Sequence, residues 1–141
     1  MTPSAVLLVE DDPTDVVFMR RAWKAAGVLP SLQVVTNGEE ALAYLSGEGI
    51  YADRSTYPVP AYVLLDLKIP LMSGLEVLEW IRKNSLLREL PVYVLTSSEQ
   101  PDDVRRAKEL GISEYLVKPN SYADLLAIVR RFASIVNRAC A

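Results

Sequence analysis

Four short apolar runs in this sequence each stop at residues that can do chemistry. Ala5–Val9 runs into Glu10, Asp11 and Asp12, and Val63–Leu65 runs into Asp66. Pro91–Leu95 runs into Thr96, and Ile112–Val117 runs into Lys118. Taken alone, Asp66 reads equally well as the cap of the next turn or as a reactive carboxylate. Together the set is more specific. Two carboxylates about 4 Å apart repel by roughly 4 kcal/mol at an effective dielectric near 20. Asp11, Asp12 and Asp66 can therefore converge only if they are protonated or bridged by cations. Lys118 offsets one charge and a divalent cation offsets two more. Oxygen donors without Cys or His select Mg²⁺, Mn²⁺ or Ca²⁺ over zinc and copper. Mg²⁺ keeps positions open for water and phosphate oxygens, which suits phosphoryl transfer. Asp66 would then be the nucleophile of an aspartyl phosphate, with the Thr96 hydroxyl and the Lys118 ammonium on the other phosphoryl oxygens.

These groups meet only if their elements bring them to one edge. Apolar runs of this length, rich in Val and Leu, read as strands buried on both faces. Helical patterns separate them. Pro13 after an acidic cap opens one with Val16, Met19, Trp23 and Ala26 inward, stopped by Gly27. Asn37 opens a second after the strand Leu32–Thr36, and Ser73-Gly-Leu-Glu76 opens a third. A fourth runs from Pro101 to Gly111. Ser121-x-x-Asp124 opens a fifth, with Leu125, Ile128, Phe132 and Val136 as its core stripe. A second stripe, Leu126, Val129 and Ala133, reads either as more core or as an interface. Five strands alternating with five helices predict an α/β chain: a five-stranded parallel sheet with helices on both faces, (βα)5, flavodoxin-like and doubly wound. In such sheets functional groups gather at the carboxyl ends of the strands. The domain is read as spanning 1–141, with a core of about 4–136 and no output domain. Residues 46–60, with Gly, Tyr and Pro and no periodicity, read as a loop insertion.

Composition removes other chemistry. The 141 residues contain no histidine and one cysteine, Cys140. Histidine-dependent triads, HExxH zinc sites and an internal disulfide are therefore excluded. A net charge of −3 with scattered basic residues argues against nucleic acid. Apolar runs are too short to span a membrane, and Met1–Ser4 lacks a secretory pattern, so a cytoplasmic protein is expected. Neither GxxxxGK[ST] nor GxGxxG occurs.

In these residues the chain resembles the receiver domain of two-component response regulators. Asp11-Asp12 looks like that family's acidic metal pair, Asp66 its phosphoacceptor, Thr96 its switch hydroxyl and Tyr115 its switch aromatic. Lys118-Pro119 looks like its Lys-Pro pair, whose peptide bond is cis in the family. The intervals agree, 30 residues from Asp66 to Thr96 and 22 more to Lys118. Leu8–Pro13, Leu71–Leu78 and Val94–Ser98, with the 46–60 loop, are further similar to the stand-alone regulators that partner bacterial phytochrome-type histidine kinases.

The resemblance implies a single-domain response regulator that takes a phosphoryl group from a sensor histidine kinase, a bacteriophytochrome in that subgroup, onto Asp66. It implies Mg²⁺ or Mn²⁺ held by Asp11, Asp12, Asp66 and the backbone carbonyl of Lys68. Thr96 would draw inward and Tyr115 would rotate from solvent to a buried position. The surface that reads the change would be the fourth helix, fifth strand and fifth helix, also the expected side of a homodimer. The first helix, with Val17 and Phe18 beside its core stripe, would meet the kinase. Such a protein is a signalling phosphoacceptor rather than an enzyme, at most catalysing its own phosphorylation and dephosphorylation. Two rivals remain: a pseudo-receiver that binds partners without phosphorylation, and a haloacid-dehalogenase-type phosphatase. The latter wants a second Asp two residues after its nucleophile, where this chain has Lys68.

Overall fold

The computed structural model describes residues 4–140, Cys140 without its side chain. The features read in Met1–Pro3 and at the Cys140 thiol lie outside the described residues. The chain runs β1 (Ala5–Val9), α1 (Pro13–Ala25), β2 (Ser31–Val35), α2 (Gly38–Ser46), a 3-10 turn (Gly49–Ala52), β3 (Pro60–Leu65), α3 (Gly74–Lys83), β4 (Val92–Thr96), α4 (Pro101–Glu109), β5 (Glu114–Val117) and α5 (Tyr122–Cys140). All strand pairings are parallel, in the order β2-β1-β3-β4-β5.

The caps expected from sequence are made. Asn37 Oδ1 accepts from the Glu40 amide at 2.7 Å, Ser73 Oγ from Glu76 at 3.2 Å and Ser121 Oγ from Asp124 at 3.1 Å. β5 starts two residues later than its apolar run. Gly111, at φ 73°, still belongs to the turn that ends α4, and the ladder is rejoined only when the Ser113 amide reaches the Val92 carbonyl.

Alternation along each strand divides the core in two. Leu7, Val9, Val63, Leu65, Val92 and Val94 pack under α2, α3 and α4. Val6, Leu8, Leu64, Tyr93 and Leu95 pack under α1 and α5, where Trp23 and Phe132 meet at 5.8 Å. On α5, Val129 and Ala133 are only 2% and 4% exposed. They belong to the core, whereas Ile128 is only partly buried. Phe132 and Val136 remain core.

Residues 46–60 are fastened down. Tyr44, Tyr51 and Tyr57 form one aromatic cluster with centroids 4.9–6.1 Å apart. Tyr44 donates its hydroxyl to the Pro58 carbonyl at 2.8 Å, and burial pushes that hydroxyl's pKa up to about 12. Arg54 stacks over the Tyr44 ring and donates to the Leu45 and Tyr57 carbonyls. No helix among the described residues is long and apolar enough to cross a membrane.

Candidate functional site

The register of the sheet builds the site. Val9 pairs with Leu65 and Leu65 with Val94, so the residues after β1 and β3 leave the sheet side by side. Each extends the ladder by one step. The Asp66 amide donates to the Val9 carbonyl at 3.1 Å, and the Glu10 amide donates to Val35 at 3.0 Å. Both residues are 4% exposed. Gly74 closes the floor: a Cβ there would overlap the backbone of Asp66 and Leu67, so α3 can start this close only with glycine.

Every oxygen of the Asp66 carboxylate has a partner. Oδ1 accepts from the Thr96 hydroxyl at 2.7 Å and from the Lys68 amide at 3.0 Å. Oδ2 accepts from Lys118 Nζ at 2.8 Å. Thr96 is fully buried at the end of β4, and the Lys118 amide donates to the Thr96 carbonyl at 2.8 Å. The two remote side chains therefore approach Asp66 from adjacent strands held in register.

Lys118 is surrounded by anions. Its ammonium also reaches Glu10 Oε1 at 2.6 Å and Asp15 Oδ2 at 2.8 Å. Burial alone would lower the lysine's pKa. The hydrogen bonds to Asp15, Asp66 and Glu10 more than reverse this and hold it well above its ordinary value. The same burial raises Glu10, against the bonds from Lys118 and from the Asp12 amide. Three carboxylates and one ammonium leave an excess of negative charge, the condition that favours a divalent cation.

One carboxylate in the expected metal set is replaced. Asp12 points away and caps α1, its Oδ1 accepting from the Thr14 amide at 2.8 Å and from Asp15 at 3.4 Å. Carboxylate oxygens of Glu10, Asp11 and Asp66 instead lie within 4.8 Å of one another. The physical reason is local. The first residue after a strand continues its direction toward the site, and the third has already turned to begin the helix. Sequence reasoning missed Glu10, although Glu10 and Asp66 occupy the same position, one past a buried strand. All-oxygen donors and clustered charge fit a hard divalent cation. The Lys118–Pro119 bond is not the cis bond expected from resemblance. No peptide among the described residues is cis, and trans is the ordinary form of X–Pro bonds.

Tyr115 is partly buried, and its hydroxyl donates to the Ser98 carbonyl at 2.8 Å. Burial raises its pKa, against that hydrogen bond. The Ser98 amide reaches Thr96 Oγ1 at 3.4 Å, so Thr96 and Tyr115 touch through one residue. Lys68 does not point at Asp66; its ammonium lies 3.3 Å from Asp103 of α4. A cavity of about 200 Å³ opens beside Lys118, between Phe18 and Met19 of α1 and Pro119–Tyr122. Phe18 packs on Tyr122 at 6.2 Å, with the Arg21 guanidinium over both rings.

Comparison with known proteins agrees with this arrangement. A family profile described as the response regulator receiver domain matches residues 6–130. The probable methanogenesis regulatory protein FilR2 of Methanothrix harundinacea is 40% identical over 87% of this chain and 77% of its own length. Response regulator Rcp1 of a Synechocystis strain is 36% identical over 94% and 88%. The solved structure of the phosphorylated cyanobacterial phytochrome response regulator RcpA superposes with a TM-score of 0.86, at 32% identity over 95% of this chain and 94% of that one. The Mn²⁺-bound form of Rcp1 superposes with a TM-score of 0.84, at 36% identity, over 94% of this chain and 93% of that one.

Proposed function

This chain belongs to the response regulator receiver family, and on that premise we propose that Asp66 is its phosphoacceptor, loaded by a sensor histidine kinase of the bacterial phytochrome type. The observation that carries this is the Asp66 carboxylate itself. It is buried at a strand end, with Thr96 on one oxygen and Lys118 on the other. An Asp66 oxygen bonds to phosphorus as the phosphorus–nitrogen bond to the donor imidazole breaks, and the electron pair leaves with that nitrogen. Lys118 holds charge developing on a phosphoryl oxygen, and Thr96 follows the group inward. Glu10, Asp11 and Asp66, with the Lys68 carbonyl, would hold Mg²⁺, or Mn²⁺ as in the Rcp1 structure. Such a cation supplies neutralisation of the phosphoryl oxygens.

The signal leaves through Thr96 and Tyr115, coupled through Ser98 to α4 and β5. The donor docks on α1, where Phe18 and the cavity beside Lys118 offer an apolar seat next to the acceptor. A self-contact on the α4–β5–α5 side would use Val117 and Ile135, which are 42% and 41% exposed, since Val129 and Ala133 are core.

The test is incubation of the full chain with acetyl phosphate and Mg²⁺, then intact mass. The expected result is one base-labile phosphoryl group, absent from Asp66→Asn. No mass gain would overturn the assignment, and so would multiple turnover of small phosphomonoesters.

A further inference from the structure

The Lys68 side chain leaves the peptide whose amide bonds Asp66 Oδ1, yet its ammonium lies on Asp103 Oδ2 at 3.3 Å. That oxygen also accepts the Ser98 hydroxyl at 2.6 Å. Ser98 in turn reaches Thr96 Oγ1 through its amide and Tyr115 through its carbonyl. Asp103 lies in the first turn of α4, whose N-cap residue Gln100 makes no side-chain capping bond. The start of α4 is thus tied down by Asp103, on Ser98 from one side and on Lys68 from the other. The Lys68 side chain is 60% exposed, so its ammonium is free to swing on its own stem.

We propose that the Lys68–Asp103 pair is a charge latch opened by the phosphoryl group, resting on the assignment of Asp66 as phosphoacceptor. Asp103 offers the ammonium one negative charge. A phosphoryl group on Asp66 brings up to about two, on the carboxylate that the Lys68 amide already bonds. When it is present, the ammonium leaves Asp103 for a phosphoryl oxygen, and α4 loses its tie to the β3–α3 loop. Lys68 is therefore a positioning residue for the phosphorylated state, and Asp103 its competitor. This connection to α4 works beside the Thr96–Tyr115 contact.

The competition fixes the sign of each substitution. The probe is beryllofluoride with Mg²⁺, an anion that occupies a phosphoryl position on a carboxylate, titrated into the full chain and followed by ¹⁹F NMR. Asp103→Asn frees the ammonium and tightens binding, and Lys68→Met weakens it, each by about two- to fivefold for a pair this exposed. In Lys68→Met, adding Asp103→Asn leaves the affinity unchanged, because there is nothing left to release. Hydrogen exchange at the amides of Asp102, Asp103 and Val104 rises on beryllofluoride binding in the wild type and does not in Lys68→Met. A merely structural ion pair would leave the Asp103→Asn effect intact in the double variant, and that result overturns the latch. Failure of the wild type to bind beryllofluoride at all would instead remove the phosphoacceptor reading beneath it.

Discussion

Two half-buried cations sit at opposite ends of the sheet, and they are held by opposite kinds of partner. At the carboxyl end, Lys118 lies among Glu10, Asp15 and Asp66. At the amino end, Arg82 of α3 donates to four backbone carbonyls: Leu110 and Leu90 at 2.7 Å, Arg88 and Gly111 at 3.1 Å. Burial pulls the Arg82 pKa down, with only Glu89 opposing it. A guanidinium nevertheless stays charged in proteins. Carbonyl dipoles never titrate and bind no phosphoryl group, so Arg82 has one arrangement. The anions around Lys118 can each be protonated, bridged by a metal or phosphorylated. One end of the sheet is fixed so that the other can change state without unravelling.

The widest separation of the two ends comes from removing each charge. Lys118→Met leaves Glu10, Asp15 and Asp66 facing one another, and in divalent-free buffer stability falls by about 3 kcal/mol. Millimolar Mg²⁺ restores part of that, because a cation can stand where the ammonium stood; phosphorylation remains lost. Arg82→Met leaves the partly buried Leu90 and Leu110 carbonyls without donors and loses about 2 kcal/mol, which no cation restores. Urea unfolding of both variants with and without Mg²⁺ measures this. Equal recovery in the two, or none in Lys118→Met, breaks the comparison.

A subtler distinction lies in alkali. The folded-state pKa of Lys118 is raised above its ordinary 10.5 by its hydrogen bonds to Asp15, Asp66 and Glu10, after burial has pulled the other way. A cation with a raised folded pKa contributes stability that is fully present below its unfolded value and is lost as pH climbs through the folded one. The stability gap between wild type and Lys118→Met is therefore level from neutral pH to 10.5 and narrows above it. Tyrosines titrate in both proteins and cancel from the difference. The gap between wild type and Arg82→Met does not narrow over the same window.

How much of this was legible in the sequence follows from the range of the forces involved. The strands, caps and order of elements are local or periodic, and Asn37, Ser73, Ser121 and the apolar runs declared them. Asp66, Thr96 and Lys118 were legible because a parallel sheet sends every strand's carboxyl end to one edge. Arg82 was not, since its four partners lie 6 to 29 residues away and are backbone atoms with no side-chain signature. The tyrosine cluster over residues 46–60 was hidden for the same reason: three scattered rings carry no period. Val129 and Ala133 were ambiguous because the width of a buried helix face depends on how closely its neighbour, here α1, approaches.

The smallest expected effect tests the sharpest difference, between two neighbouring carboxylates at the active end. Glu10 is buried, ligates Lys118 and lies with Asp11 and Asp66; Asp12 is exposed and caps α1. Asparagine caps as well as aspartate, so Asp12→Asn keeps both amide hydrogen bonds and shifts stability by no more than about 0.5 kcal/mol. Its Mg²⁺ affinity changes little, since the lost charge is in water. Glu10→Gln keeps the shape but removes a charge from a buried donor set, and Mg²⁺ affinity falls on the order of tenfold. Isothermal titration of Mg²⁺ into the two variants ranks them directly. Glu10 is also the group whose burial raises its pKa above 4.5, so its folded carboxyl gains a proton sooner on acidification than an exposed glutamate would. The Mg²⁺ affinity of the wild type should therefore begin to fall at a higher pH than that of Glu10→Gln. The reverse ranking would return the metal to Asp11 and Asp12, and would require α1 to give up its cap.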